Sequence, residues 1–222
     1  SNLMQSIKST VGLCVVFISI VLVMFVFSKM RVPELSADEM RSQGVFILPT
    51  PRDIGPFELL DHRGTVFNRQ SLEGHWSFIF FGFTNCPDVC PTSLSVLGQV
   101  ENQLKKQDPV LAEGFKVRLV SVDPDADTLE RLGQYVSAFS PSFLGVRGER
   151  ADLVKFTDQV NVAFAKVPLR SSVPGSDEMG YTVDHTGNIV IINPRGHYHG
   201  FIKLPHKAET IRLSYQTLDA QF

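Results

Sequence analysis

The stretch FGFTNCPDVCPTSL, Phe81 to Leu94, holds two of the three cysteines in the chain. Cys86 and Cys90 stand four apart, each is followed by a proline, and Asp88 lies between them. The thiolate is the form of cysteine that attacks disulfides and that ligates metals, so the pair can exchange disulfides or hold an ion. Proline fits the first turn of a helix, where its missing N–H is not needed. Either a helix starts at Pro87 with both thiols on its first turn, or residues 86–90 form a loop and the helix starts at Pro91. In both cases the sulfurs lie near a helix N-terminus. The partial positive charge there lowers a thiol pKa from about 8.5 into the range ~3.5–7.5, while Asp88 opposes this with negative charge. On a continuous helix, residues four apart share a face. The sulfurs can then converge on one soft ion or close a disulfide, which tolerates Cα separations of about 4.4–6.8 Å. Two thiolates suit Cu(I). A structural zinc site wants four ligands, and only two cysteines are well placed.

A third ligand is expected from histidine, of which there are six. His62 and His75 fall in turns, and His206 opens the last loop. His197 and His199 form an H-x-H pair whose side chains share one face of a strand; they read as solvent-facing hairpin residues. His185 differs in setting. It sits in YTVDHTG, after the Gly/Pro/Ser loop Ser171–Gly180 and before an apolar strand, where it can fold back onto the cysteines.

The elements that must position these groups are legible from periodicity. Phe57, Leu59, the turn at 61–64, Val66 and Phe67 predict a β-hairpin. SFIFFGF, Ser77 to Phe83, is almost wholly apolar, as suits a strand buried on both faces. Leu94, Leu97, Val100, Glu101 and Leu104 recur at helical spacing, and Lys105 and Lys106 suit the C-terminal end of the dipole. Phe115–Val122 predicts a second buried strand, Asp127–Phe139 a helix, Phe143–Val146 a brief strand and Ala151–Val160 a helix. Gly187–Pro194 predicts a third strand paired with Tyr198–Ile202, and Thr210–Leu218 a closing helix. Strand–helix–strand units imply right-handed crossovers and a central sheet flanked by helices. The expected fold is therefore an α/β thioredoxin-like sandwich, with the cysteines where a buried strand ends and a helix begins. That carboxyl end is where open α/β sheets bind ligands.

The 222 residues suit one domain plus extras. A formal charge of −2 gives no electrostatic case for nucleic acid, and three cysteines are too few for a disulfide scaffold. Val11 to Phe27 is seventeen residues without a charge. At about 1.5 Å per residue it spans roughly 26 Å, at the short end for a bilayer. No small-x-small cleavage site follows, so it reads as an uncleaved anchor rather than a secretory signal. Cys14 lies inside it as a small apolar residue. Residues 1–30 are expected to form the anchor, 31–50 a Pro-containing linker with a short edge strand at Val45–Leu48, and 51–222 the folded domain. Lys8 lies on one side of the anchor and Lys29, Arg31 and Arg41 on the other, so flanking charge does not support export of the domain.

FGFTNCPDVCPTSL, SVDPDADTLE and YTVDHTG together resemble the Sco/SenC family of membrane-anchored copper proteins, from about Phe57 to the C-terminus. The resemblance implies copper, as Cu(I) or Cu(II), bound by Cys86, Cys90 and His185. It implies two partners: an upstream copper donor, and the cytochrome c oxidase subunit whose dinuclear copper centre such proteins help assemble. In that family the region holding a cis-proline in thioredoxins holds the histidine loop instead. Asp88 and Asp123 are expected beside the metal as acidic neighbours rather than ligands. The implied place is a bacterial inner membrane with the domain in the periplasm, or the mitochondrial inner membrane with the domain in the intermembrane space. The absence of an Arg-rich, Ser-rich leader favours the bacterial setting. The competing function is a membrane-anchored thiol–disulfide reductase in which Cys86 attacks and Cys90 resolves. A peroxide-reducing enzyme would want Thr or Ser three residues before the cysteine, where Phe83 stands.

Overall fold

A computed structural model describes residues 2–30, 34–168 and 181–222. The loop expected at 171–180 lies outside the described residues. The chain opens with α1 (Asn2–Met30), whose segment Ile7–Ser28 is, among the described residues, the one stretch long and apolar enough to cross a membrane. The described side chains of Ile7–Ser28 are exposed, as an anchor in lipid would leave them.

Residues expected to be linker are built into the fold. The helix α2 (Ala37–Ser42) starts with a capping box, in which Ser36 accepts from Glu39 N–H and Glu39 accepts from Ser36 N–H. It buries Met40, and Leu35 N–H donates to Thr217 Oγ1 at 2.9 Å. The strand β1 (Val45–Arg52) then runs antiparallel to a strand near the C-terminus, Val45 opposite Ile202. Pro49 and Pro51 are tolerated because β1 is an edge strand, and its register shifts between Ile47 and Arg52.

The predicted hairpin is β2 (Glu58–Asp61) with β3 (Val66–Asn68), Leu59 facing Phe67. The buried Asp61 carboxylate accepts from the N–H groups of Arg63 and Thr65 and closes the turn. β4 (Trp76–Gly82) is buried along its whole length. α3 (Val89–Gln107) follows and turns Leu94, Leu97, Val100 and Leu104 to the core. The short α4 (Pro109–Glu113) leads into β5 (Phe115–Ser121). Then come α5 (Leu129–Ser137), capped by the Thr128 hydroxyl, β6 (Leu144–Arg147) and α6 (Arg150–Gln159). A second, small sheet is β7 (Phe164–Pro168) against β8 (Tyr181–His185). β9 (Ile189–Ile192), β10 (Tyr198–Ile202) and α7 (Ala208–Gln221) complete the chain.

The main sheet runs β1-β10-β9-β4-β5-β6-β2-β3. β4 and β5 are parallel, as a right-handed crossover through α3 requires, and β9 lies antiparallel on the other side of β4. A mixed sheet flanked by helices is the thioredoxin-like arrangement expected from the element order. The central run Phe78, Ile79, Phe80 and Phe81 is fully buried. Each such side chain contributes about 1.5–3 kcal/mol relative to exposure, so the strand that ends at the cysteine loop is among the most firmly held in the molecule. The β7–β8 hairpin was not expected: it has no apolar run, and Ala163, Ala165 and Lys166 are exposed.

Candidate metal centre

The helix after β4 starts at Val89, between the two starts left open by the prolines. Cys86 therefore lies in the preceding loop and Cys90 in the first turn. Pro91 sits within that first turn, where its absent N–H leaves no bond unmade. The loop is held from below. Asp127, 1% exposed, accepts from Thr84 Oγ1 at 2.5 Å, from Thr84 N–H at 3.2 Å and from Ser121 Oγ at 2.7 Å. Asn85 accepts a hydrogen bond from Arg131 on α5, and Cys86 N–H donates to Phe83 O at 3.2 Å. At Gly82 a Cβ would come within 2.8 Å of Cys90 Sγ, so only glycine leaves room for that sulfur.

Both thiols are reduced and buried, Cys90 completely. Their environments push them apart. The Cys90 thiol donates to the Cys86 sulfur and holds it well below the ordinary thiol range, against the opposing effect of burial. His185 and the backbone N–H groups of Cys90 and Asp88 act in the same direction. Cys90 is pushed strongly up, because its proton makes that bond and because it is buried. Both shifts favour negative charge on Cys86 and a proton kept on Cys90. Asp88 acts through its backbone: its carboxylate is exposed and makes no cap bond.

His185 ends β8, opposite Phe164 of β7. Its ring stands edge-on to Phe80 and Phe83, with centroids 5.9 Å away in each case. Nδ1 lies 3.3 Å from Thr186 O. A carbonyl can only accept, so Nδ1 donates to it, which leaves Nε2 as the nitrogen turned toward the sulfurs. Nε2 points at the sulfurs, 3.9 Å from Cys90 Sγ. The ligand atoms of Cys86, Cys90 and His185 all lie within 4.8 Å of one another, the one such group among the described residues. Two soft sulfurs and one imidazole nitrogen, walled by aromatic rings and with no carboxylate in the set, fit a soft monovalent ion of low coordination number. A cavity of about 290 Å³ beside His185 is lined by Ala163, Phe164, Ala165 and Thr186.

Asp123, the other acidic residue singled out in the sequence, is 2% exposed and pairs with Lys166 of β7, Oδ1 to Nζ 3.4 Å. Lys166 also reaches Asp125 at 2.6 Å. Asp123 thus ties the sheet to the hairpin that carries His185. The remaining histidines lie away from the sulfurs or behind them. His62 Nδ1 accepts from Gly145 N–H at 3.1 Å. His75 is pushed down to about 4, chiefly by burial and then by the charges of Arg118 and Lys116. His197 and His199 do not face solvent as expected: both are half-buried. His197 Nε2 is 3.6 Å from Asp53, whereas His199 stacks edge-on against Trp76 and bonds Asn193 at 3.1 Å. They serve different neighbours and do not converge.

Sequence reasoning missed Asp127 and Thr84, which set the cysteine loop. It also missed His206, buried behind Phe80 with Nδ1 2.8 Å from Ser93 Oγ. The SVDPDAD stretch held the signal for Asp127, but nothing local assigns it to Thr84. Tyr135 on α5 has a buried hydroxyl whose pKa burial, above all, pushes up.

Comparison with known proteins gives a consistent result. The SCO1/SenC family profile matches residues 48–218. A Stutzerimonas stutzeri protein named for copper binding is 32% identical over 192 residues, spanning 84% of this chain and 89% of its own length. An SCO2-like protein of Rickettsia prowazekii is 36% identical over 144 residues, and the match spans 65% of this chain and 66% of that protein. The structure of Bradyrhizobium japonicum ScoI with copper bound aligns with a TM-score of 0.63 at 32% identity, over 74% of this chain and 98% of that one.

Proposed function

Given that this chain belongs to the SCO1/SenC family, we propose that it is a membrane-tethered copper carrier. Its cargo is Cu(I), held by Cys86, Cys90 and His185 and delivered to the dinuclear copper centre of cytochrome c oxidase. One observation carries the reading: an imidazole 95 positions downstream lies 3.9 Å from Cys90 Sγ, with all three donors within 4.8 Å. The copper-bound ScoI relative supports the choice of ion. The oxidase as destination rests on the family resemblance, and the setting outside the cytoplasm on that resemblance and α1.

Loading follows from the protonation of the pair. Cys86 is already a thiolate, and Cys90 gives up its proton as its sulfur takes the ion, so one proton is released. Unloading is ligand exchange: an incoming thiolate of a target cysteine pair replaces Nε2, then the two sulfurs in turn, with no change of oxidation state. The hairpin β7–β8 can withdraw its nitrogen without disturbing the sheet that holds the sulfurs.

The thiol asymmetry favours a second activity of the same residues. The Cys86 thiolate can attack a target disulfide and release one target thiolate. Cys90 then attacks the mixed disulfide, releasing the second thiolate as its proton leaves. Two electrons pass to the target and a Cys86–Cys90 disulfide remains.

Titrating the reduced full chain with Cu(I) against a competing chelator tests the carrier reading. One equivalent is expected to bind tightly, and His185→Ala is expected to weaken binding severely while disulfide reduction continues. Unchanged Cu(I) affinity in His185→Ala rules out the three-donor site.

A further inference from the structure

A second cavity, about 310 Å³, opens between α2 and the loop after β10. Arg41, Lys203 and Lys207 line it, with Gly44, Phe46 and Leu204, and no carboxylate does. All three cations are exposed, and none makes an ion pair among the described residues. Lys203 Nζ lies over the Phe46 ring, 4.7 Å from its centroid. Lys207 is the N-cap of α7 and offers no side-chain cap to its first N–H groups, which adds to the positive potential. Nearby acids do not cancel it: Glu39 is held in the Ser36 capping box, and Asp38 and Glu209 lie outside the cavity.

The position of this pocket in the chain is informative. α1 ends at Met30 and α2 begins at Ala37, seven residue steps later. Extended chain covers at most about 25 Å over that distance, so the pocket cannot stray far from where α1 leaves the membrane. Leu204, 49% exposed, projects beside the cations. Cations around an apolar tip, held close to a bilayer, suit lipid phosphates with acyl chains beneath. The same feature accounts for the cations Lys29, Arg31 and Arg41 on the domain side of α1, which flanking-charge reasoning leaves unexplained.

We propose that the Arg41–Lys203–Lys207 pocket docks the domain onto anionic phospholipid headgroups of the membrane that α1 crosses. The docked face adjoins the metal centre. At Gly187, two residues past His185, a Cβ would come within 2.6 Å of Leu204 Cδ1, so the docking loop packs against the segment that follows the histidine. Docking therefore presents the cargo near the bilayer surface, where a membrane-embedded acceptor would receive it. This rests on α1 as a membrane anchor.

The full chain is reconstituted in nanodiscs of phosphatidylcholine, with or without phosphatidylglycerol, and amide exchange is followed at residues 41–46 and 202–209. Slowed exchange is expected only with phosphatidylglycerol, weakening as salt rises. Each basic residue near an anionic surface contributes roughly fivefold to the docked population. Arg41→Gln/Lys203→Gln/Lys207→Gln should therefore lose protection by on the order of a hundredfold. Arg41→Lys/Lys203→Arg/Lys207→Arg, which keeps the charge, should retain it and controls for folding. Equal exchange in the two lipids, or full protection in the triple Gln variant, overturns the proposal. So does protection by inorganic phosphate in phosphatidylcholine discs with no further effect of phosphatidylglycerol, which would mark a small-anion site. Incorporation into phosphatidylcholine discs reads α1 alone, so failure of the anchor is distinguishable from failure of docking.

Discussion

The two sides of the candidate metal centre are built differently. The sulfurs come from one short stretch between β4 and α3, at the end of a strand buried along its whole length. A buried carboxylate and a dedicated glycine fix their loop. The nitrogen comes from β8, which among the described residues pairs with β7 in a separate two-stranded sheet. That hairpin is tied to the rest by side-chain bonds such as Lys166 to Asp123 and Asp125, and edge-on packing of His185 on Phe80 and Phe83 completes its seat. A carrier, as proposed above, must hold its ion and then let it go. Two donors on the main sheet and one on a peripheral arm would divide those tasks.

Four measurements can break or sharpen this contrast. The largest effect belongs to the rigid side. Cys90→Ala is expected to abolish specific Cu(I) binding, well beyond the roughly 10–100-fold that loss of an outer partner costs. It should also return Cys86 to ordinary thiol reactivity, read as slower alkylation at pH 6, because the donated hydrogen bond is gone. His185→Ala comes next: weakened Cu(I) binding with Cys86 alkylation much less affected, since His185 is a lesser cause of that thiol's shift. If alkylation slows as much as in Cys90→Ala, the two sides are not separable.

Lys166→Ala tests the arm without touching a donor. Loss of the tie to Asp123 is expected to cost about tenfold in Cu(I) affinity, at the low end of the outer-partner range. Lys166→Arg should restore it, and Cys86 alkylation should not change in either variant. The smallest effect is a slope. Cys86 is held down and Cys90 up, so near neutral pH only Cys90 brings a proton to be displaced. Cu(I) affinity should then rise tenfold per pH unit, from one proton released. Two ordinary thiols would give a hundredfold rise.

The same contrast decides what the sequence could tell. The sulfur side was legible: apolar runs marked β4 and β5, and C-P-D-V-C-P marked both of the sulfurs that the fold brings beside His185. Periodicity also placed α3 and the β9–β10 pair. The arm was not legible. Neither β7 nor β8 carries an apolar run in sequence, and the signal for such a pair lies in the register between the strands, not in either one. The edge strand expected at Val45–Leu48 is there, but prolines hid its extension to Arg52, because an edge strand tolerates what a central strand cannot, whereas the Ser36–Glu39 capping box ahead of α2 was present and passed over. His199 read as solvent-facing because nothing local shows Trp76 waiting across the sheet. Asp123 was noticed, but its partner Lys166 stands 43 positions away, a pairing only the fold reveals.

X-ray absorption of the full chain carrying one equivalent of Cu(I) reads the donors directly. Two sulfurs and one imidazole nitrogen around the ion, with the nitrogen absent in His185→Ala, is the expected result. A first coordination sphere of sulfur alone in the unaltered protein would show that the arm never closes on the cargo, and would contradict the carrier built from Cys86, Cys90 and His185.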